Sequence, residues 1–141
     1  MVRARDISKE KTKGVILDSS VWIAYLNPAD SQHKKSVGLL HSLGENNFVV
    51  PEYVLAEVVS VLKNKKAPDV ASTFLNAVLE NDGAHVLNTW EWLSLFAYEF
   101  RMYKETNLSF VDCALVALSR EYIVLTFDTE LEKTLKRQNR T

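Results

Sequence analysis

The chain has one cysteine, Cys113, which alone excludes an internal disulfide framework and any zinc site built from several thiolates. A reducing compartment suits such a chain, so a cytoplasmic protein is expected. Four glycines and three prolines in 141 residues are too few for a fibrous or low-complexity protein, and the absence of any Gly-Lys pair excludes a P-loop. No apolar run reaches the roughly 18 residues that cross a bilayer. The basic N-terminus also lacks the apolar stretch of about 7–15 residues that marks a secretory signal. Neither a membrane span nor export is therefore expected. Charge of one sign is lacking too: 17 Lys and Arg stand against 18 Asp and Glu, a net of −1. Any nucleic-acid partner must be held by local patches rather than by a global basic field.

What is present is a core. Hydrophobic residues make up 47% of the chain and charged residues 25%, the balance of a single globular domain. The first 13 residues hold five basic and two acidic side chains and little to bury, and they read as a flexible basic arm. Residues 14–141 then form one domain with 12 basic and 16 acidic side chains.

Gly14-Val15-Ile16-Leu17 is a short apolar run that stops at Asp18 and reads as a buried strand. Phe48-Val49-Val50, Ala84 to Leu87 and Tyr122 to Thr126 repeat the pattern. Between them the spacing predicts helices over 19–26, 30–43, 51–66, 67–82, 89–105 and 109–121, with another starting at Asp128. Apolar strands alternating with helices point to an α/β sandwich around a parallel sheet, since strands buried on both faces read as continuous apolar runs.

Asp18 directly follows the first strand, Asp128 follows the fourth, and Asp112 is the only charge between Glu105 and Arg120. In open parallel sheets ligands bind beyond the carboxyl ends of the strands, so Asp18 and Asp128 should share that edge. Each also has a plain structural reading. Asp18 and Asp128 suit helix N-caps, and Ser109-Phe110-Val111-Asp112 spells a capping box. Glu57 interrupts Val54-Leu55-Ala56-Glu57-Val58-Val59 with no Lys or Arg within five residues, and its helical neighbours place it on or beside the buried face. Either a cation compensates it or that face is less buried than the pattern suggests. The four carboxylates, with hydroxyls at Ser19, Ser20 and Thr126, form an all-oxygen set with no His near them, which selects Mg²⁺ or Mn²⁺ over zinc.

Together the segments VILDSSVWIAYL, PEYVLAEVVSVL, LSFVDCALVALS and IVLTFDTEL, in this order, resemble a PIN domain of the kind found in VapC-type toxins and solitary prokaryotic PIN proteins. The resemblance spans residues 14 to about 137. It implies a three-layer α/β/α fold with a central, mainly parallel sheet of four to five strands. It also implies a Mg²⁺- or Mn²⁺-dependent endoribonuclease that cleaves RNA by metal-activated water, with toxin function in a toxin–antitoxin pair as one role. Carried across, Asp18, Glu57, Asp112 and Asp128 are the catalytic and metal-holding carboxylates. Thr126 is the hydroxyl two residues before the last of them, and Ser19 or Ser20 the small hydroxylated residue after the first. Homodimers and a small antitoxin partner are implied as well. The basic arm departs from the family pattern, whose members often begin at the first strand.

Rival phosphate chemistries fit less well. A haloacid-dehalogenase-type phosphatase wants Asp where Ser20 stands, and a response-regulator receiver wants a Lys that Leu125-Thr126-Phe127-Asp128-Thr129 lacks. The alternative from another class is a non-catalytic PIN-like module that grips RNA or a protein. Lys63, Lys65 and Lys66, and then Lys133, Lys136 and Arg137, cluster at helix C-termini. They read either as partners of the helix dipole or as phosphate contacts that offset the repulsion between the carboxylates and RNA. His33, His41 and His85 read as surface residues, Cys113 as a buried filler, and the Trp90, Trp92, Phe96, Phe100 stretch as core or dimer interface.

Overall fold

Val15, Ile16 and Leu17 are all buried, yet alternate residues serve different cores. Val15 and Leu17 point to one side of the sheet and Ile16 to the other, as the two-residue period of a strand requires. The computed structural model that shows this describes residues 13–80 and 83–138. Of the basic arm only Lys13 falls within them, where it pairs with Glu121 at 2.9 Å.

Four parallel strands form the sheet: β1 (Val15–Leu17), β2 (Phe48–Pro51), β3 (Ala84–Leu87) and β4 (Ile123–Leu125), in the order β3-β2-β1-β4. Helices α1 (Ser19–Leu26), α2 (His33–Leu43), α3 (Glu52–Asn64) and α4 (Pro68–Leu79) fill the connections from β1 to β2 and from β2 to β3. They enclose one core with Trp22, Val54, Val58 and Phe74. Helices α5 (Leu93–Met102), α6 (Phe110–Leu118) and α7 (Thr129–Gln138) enclose a second core with Phe96, Leu115 and Leu131. The division follows from the handedness of parallel crossovers. Two successive steps outward from β1 place their helices on one face, and the return past β1 to β4 places its helices on the other. The result is the three-layer α/β/α sandwich expected from the sequence, with four strands.

That return also makes β1 and β4 neighbours from opposite directions. Val15, Ile16 and Leu17 pair with Ile123, Val124 and Leu125, and the Asp18 amide donates to the Leu125 carbonyl at 2.9 Å. The direction of the strand order therefore reverses beside β1, where a parallel sheet leaves a crevice at its carboxyl edge. Gly14 lets the chain enter β1. Its φ is +136°, and a Cβ there would lie 2.7 Å from the Asn47 carbonyl oxygen.

The helices expected to end at 105 and 121 end at Met102 and Leu118, and two helix starts shift by three residues or more. Residues 30–32 form turns instead of opening α2, because the Asp30 carboxylate accepts the Gln32 amide at 2.8 Å and holds a local turn. The aromatic helix expected over 89–105 is split into a 3-10 turn at Trp90–Trp92 and α5. Its start is set from elsewhere in the chain: Glu52 of α3 accepts the Thr89 amide and hydroxyl, the latter at 2.7 Å. Phe96 is buried while Trp90 stays 75% exposed. Among the described residues no helix is long and apolar enough to cross a membrane.

Candidate active site at the carboxyl edge of the sheet

The chain leaves β1 at Asp18 in an extended conformation, with φ −61° and ψ 157°, and turns at once into α1. Asp18 is the N-cap, and its Oδ1 accepts the Ser19 amide at 2.7 Å. Its Oδ2 accepts the Thr126 hydroxyl at 2.7 Å and the Ser20 hydroxyl at 3.2 Å. Thr126 in turn accepts the Asp128 amide at 3.0 Å, and Ser20 accepts the Phe127 amide at 3.4 Å. The Thr-x-Asp spacing thus has a local reason. Thr126 bridges the ends of β1 and β4, holding Asp18 with its proton and Asp128 with its lone pair.

Asp18 is only 7% exposed. Burial raises its pKa, the hydrogen bonds from Thr126, Ser19 and Ser20 pull it back, and the charge of Asp112 pushes it up again. Asp112 lies in the first turn of α6, where the capping box forms as its sequence spells. Ser109 Oγ accepts the Asp112 amide at 3.1 Å, and Asp112 Oδ2 accepts the Ser109 amide at 3.0 Å. Asp128 caps α7 through a 2.8 Å bond from the Leu131 amide. The capping reading and the site reading therefore coexist, because a carboxylate that caps a helix sits at the positive end of its dipole. In Asp112 and Asp128 one oxygen is committed to the cap. Among the described residues no hydrogen bond is formed by the other.

Glu57, expected on or beside the buried face, is exposed and lies beside it. The buried stripe of α3 runs through Val54, Leu55, Val58 and Leu62, and Glu57 falls on its flank. Helical spacing alone does not say which flank the sheet covers. Of the two alternatives the sequence left open, the less buried face holds. Glu57 still belongs to the same neighbourhood. The Tyr53 hydroxyl, buried and without a hydrogen-bond partner among the described residues, feels the charges of Asp18, Glu52, Glu57 and Asp112. Burial and those four carboxylates raise the Tyr53 pKa, so the hydroxyl keeps its proton. An unpaired buried hydroxyl costs about 1–3 kcal/mol.

The basic residues divide. Lys63, Lys65 and Lys66 end α3, and Lys63 lies about 9 Å farther along its axis than Glu57 at 1.5 Å per residue. Lys133 lies midway along α7, and Lys136 and Arg137 close it, with Lys136 paired to Glu132 at 2.9 Å. None of them forms an ion pair with the four carboxylates among the described residues. The cation missed by sequence reasoning is Lys35 of α2. Its Nζ stands 4.5 Å from the centroid of the Phe127 ring, between Thr126 and Asp128. No sequence signal marks it, since the contact joins α2 to the loop after β4.

The donors are all oxygen and carry net negative charge. Among the described residues no three His, Cys, Asp or Glu side chains close on a common point as they stand. The buried Asp18 charge, the free carboxylate oxygens and the unpartnered Tyr53 hydroxyl fit a hard divalent cation. Zinc would want nitrogen or sulfur ligands. Cys113, next to Asp112, is buried, and its thiol pKa is raised by burial, so it acts as the filler expected.

A parallel sheet covered by helices on both faces, with acidic residues at its switch point, defines a class of α/β proteins, and comparison narrows it. The sequence matches the PIN domain family over residues 15–136, and the chain belongs to that family. The fold is similar to the crystal structure of Mycobacterium tuberculosis VapC20, a toxin that cleaves the sarcin–ricin loop. The TM-score is 0.73 at 20% sequence identity, covering 84% of this chain and 93% of that one. A search of curated proteins finds no match to the sequence.

Proposed function

We propose that this PIN domain is an endoribonuclease that hydrolyses RNA phosphodiester bonds with Mg²⁺ or Mn²⁺ as its cofactor. The observation that carries the reading is Asp18, a buried carboxylate that feels the charge of Asp112 and is neutralised by no cation of the described chain. Asp18, Glu57, Asp112 and Asp128 would hold the ion. When bound, a divalent ion supplies positive charge to the phosphoryl group and lowers the pKa of water. The chain's own residues do the positioning. Thr126 and Ser20 fix the orientation of Asp18. The capping bonds of Asp112 and Asp128 leave one oxygen of each without a hydrogen bond among the described residues, and exposed Glu57 would position a second ion or the attacking water. Lys35 offers the cation that draws an RNA phosphate past Phe127, with Lys63, Lys65, Lys66, Lys133, Lys136 and Arg137 as more distant contacts.

Toxin activity with a small antitoxin, a homodimer and a cytoplasmic location belong to the same proposal. Likeness to VapC20 supports the first, and the exposed Trp90, Tyr98, Phe100 and Met102 support the second. The open arrangement of the carboxylates favours one other reading, a PIN-like module that binds RNA or protein without cleaving it. Titration calorimetry with Mn²⁺, followed by incubation with single-stranded RNA, separates the two. Saturable Mn²⁺ binding and EDTA-sensitive cleavage are expected. RNA binding with neither would establish the inert module.

A further inference from the structure

An open apolar cavity lies apart from the acidic edge. Its volume is about 580 Å³, and its walls include Trp22 and Tyr25 of α1, Leu40 of α2, Phe48 of β2, and Val70 and Phe74 of α4. Phe48 and Ala84, the first residues of β2 and β3, also line it, so it reaches the amino ends of those strands, whereas Asp18 follows the carboxyl end of β1. Two of its apolar walls are left open, with Tyr25 38% and Val70 37% exposed. Along α4 the lining runs from Asp69 to Val78, about 13 Å at 1.5 Å per residue, which is roughly the span of four extended residues. Asp69 at one end is exposed and forms no ion pair among the described residues.

The N-terminal arm joins the domain beside this cavity. The Lys13 carbonyl accepts the Asn47 side-chain amide at 3.2 Å, and the residue after Asn47 is Phe48 on the cavity wall. Residues 1–12 reach up to about 40 Å when extended. Two strand spacings separate β1 from β3, about 10 Å, so the cavity is well within that reach. Residues 1–12 hold Arg3, Arg5, Lys9 and Lys11 against Asp6 and Glu10, a net of +2. Val2 and Ala4 alternate with Arg3 and Arg5, so an extended run sends its apolar pair to one side and its guanidinium groups to the other. That pattern matches an apolar floor with a carboxylate at its rim.

We infer that the N-terminal arm of this chain docks in the cavity between α1, α2 and α4, with its apolar side chains on the aromatic floor and Arg3 and Arg5 beside Asp69. The tether makes the contact intramolecular and so raises the effective concentration of the arm. The inference is independent of the nuclease reading, because none of the four site carboxylates lines the cavity.

The test uses the full chain with Ala4→Cys in the arm and a second cysteine either on the cavity wall, Val70→Cys, or across the sheet on α5, Tyr98→Cys. Val70 and Tyr98 are exposed and the native Cys113 is buried, so the fold and the background thiol are undisturbed. Oxidation in dilute solution, followed by gel mobility and peptide mapping, gives the rate of the intramolecular disulfide. The pair with position 70 should close at least tenfold faster than the pair with position 98. Asp69→Lys should slow that closure, and adding Arg3→Glu and Arg5→Glu should restore it. Equal rates for the two pairs would show an undocked arm, and disulfides only between chains would make the occupant a second copy. Either result, or a rate indifferent to Asp69→Lys, would overturn the inference.

Discussion

Asp18 and Glu99 are both carboxylates taken out of water, 7% and 2% exposed, and the chain treats them oppositely. Glu99 of α5 meets Arg120 at 2.6 Å, so its charge is neutralised within the scaffold. Asp18 is met by three hydroxyls and an amide, all neutral, with Asp112 adding charge of the same sign. A buried charge paired internally is closed to outside chemistry. One solvated by neutral dipoles keeps a negative excess that a bound proton or an external cation can cancel. The second core and the carboxyl edge of the sheet therefore hold the same kind of side chain in opposite electrostatic settings.

The largest effect should separate these roles in activity. Asp18→Asn should lower RNA cleavage by about 1,000-fold or more, the several kcal/mol that metal charge contributes. Arg120→Ala should leave the turnover of folded molecules unchanged. A gel assay at matched folded concentration decides, and equal losses would erase the distinction. In urea denaturation Arg120→Ala should cost about 3 kcal/mol, at the low end for a broken buried pair because Arg120 is half-exposed. Mn²⁺ at 100 times its dissociation constant should add about 2.7 kcal/mol to wild type and to Arg120→Ala but little to Asp18→Asn. An equal thermal shift in all three would place the ion elsewhere.

A smaller effect concerns pH in EDTA. The folded pKa of Asp18 is raised, so its proton is bound more tightly in the folded state than in the unfolded state. Stability from this group is full below the unfolded value of about 4 and is lost as pH rises through the folded one. At pH 7 Asp18→Asn should therefore melt slightly higher than wild type, helped by asparagine's equal quality as an N-cap. The gap should close as the pH is lowered to about 4. Melting curves across that window check the sign, and a variant that melts lower at pH 7 would make Asp18 a structural cap. The smallest change is expected from Lys35→Gln. RNA affinity should fall less than tenfold, and the slope of log affinity against log salt should drop by about one. An unchanged slope would leave Lys35 as a partner of Phe127 alone.

Several features were legible because their causes are local. The strand runs ending at Asp18 and just before Asp128 and the capping box of Ser109 and Asp112 each depend on residues within a few positions. Backbone sterics, hydrogen bonding to free helix amides and two-residue burial periods act over that range. Features set by contacts between distant segments were not legible. Glu52 and Thr89, 37 residues apart, decide where the aromatic segment breaks into a turn and a helix. The flank of α3 that the sheet covers decides that Glu57 is exposed.

The sequence by itself determined the element types, the carboxyl-edge location of Asp18 and Asp128, and the oxygen-only chemistry of the donors. These follow from periodicity and residue type. Tertiary structure alone decided that Thr126 bonds Asp18 across 108 residues, that Lys35 lies over Phe127, and that the Tyr53 hydroxyl is buried without a hydrogen-bond partner among the described residues. Burial and charge proximity are properties of packed segments, and the energy of a carboxylate depends on what surrounds it more than on what precedes it in the chain.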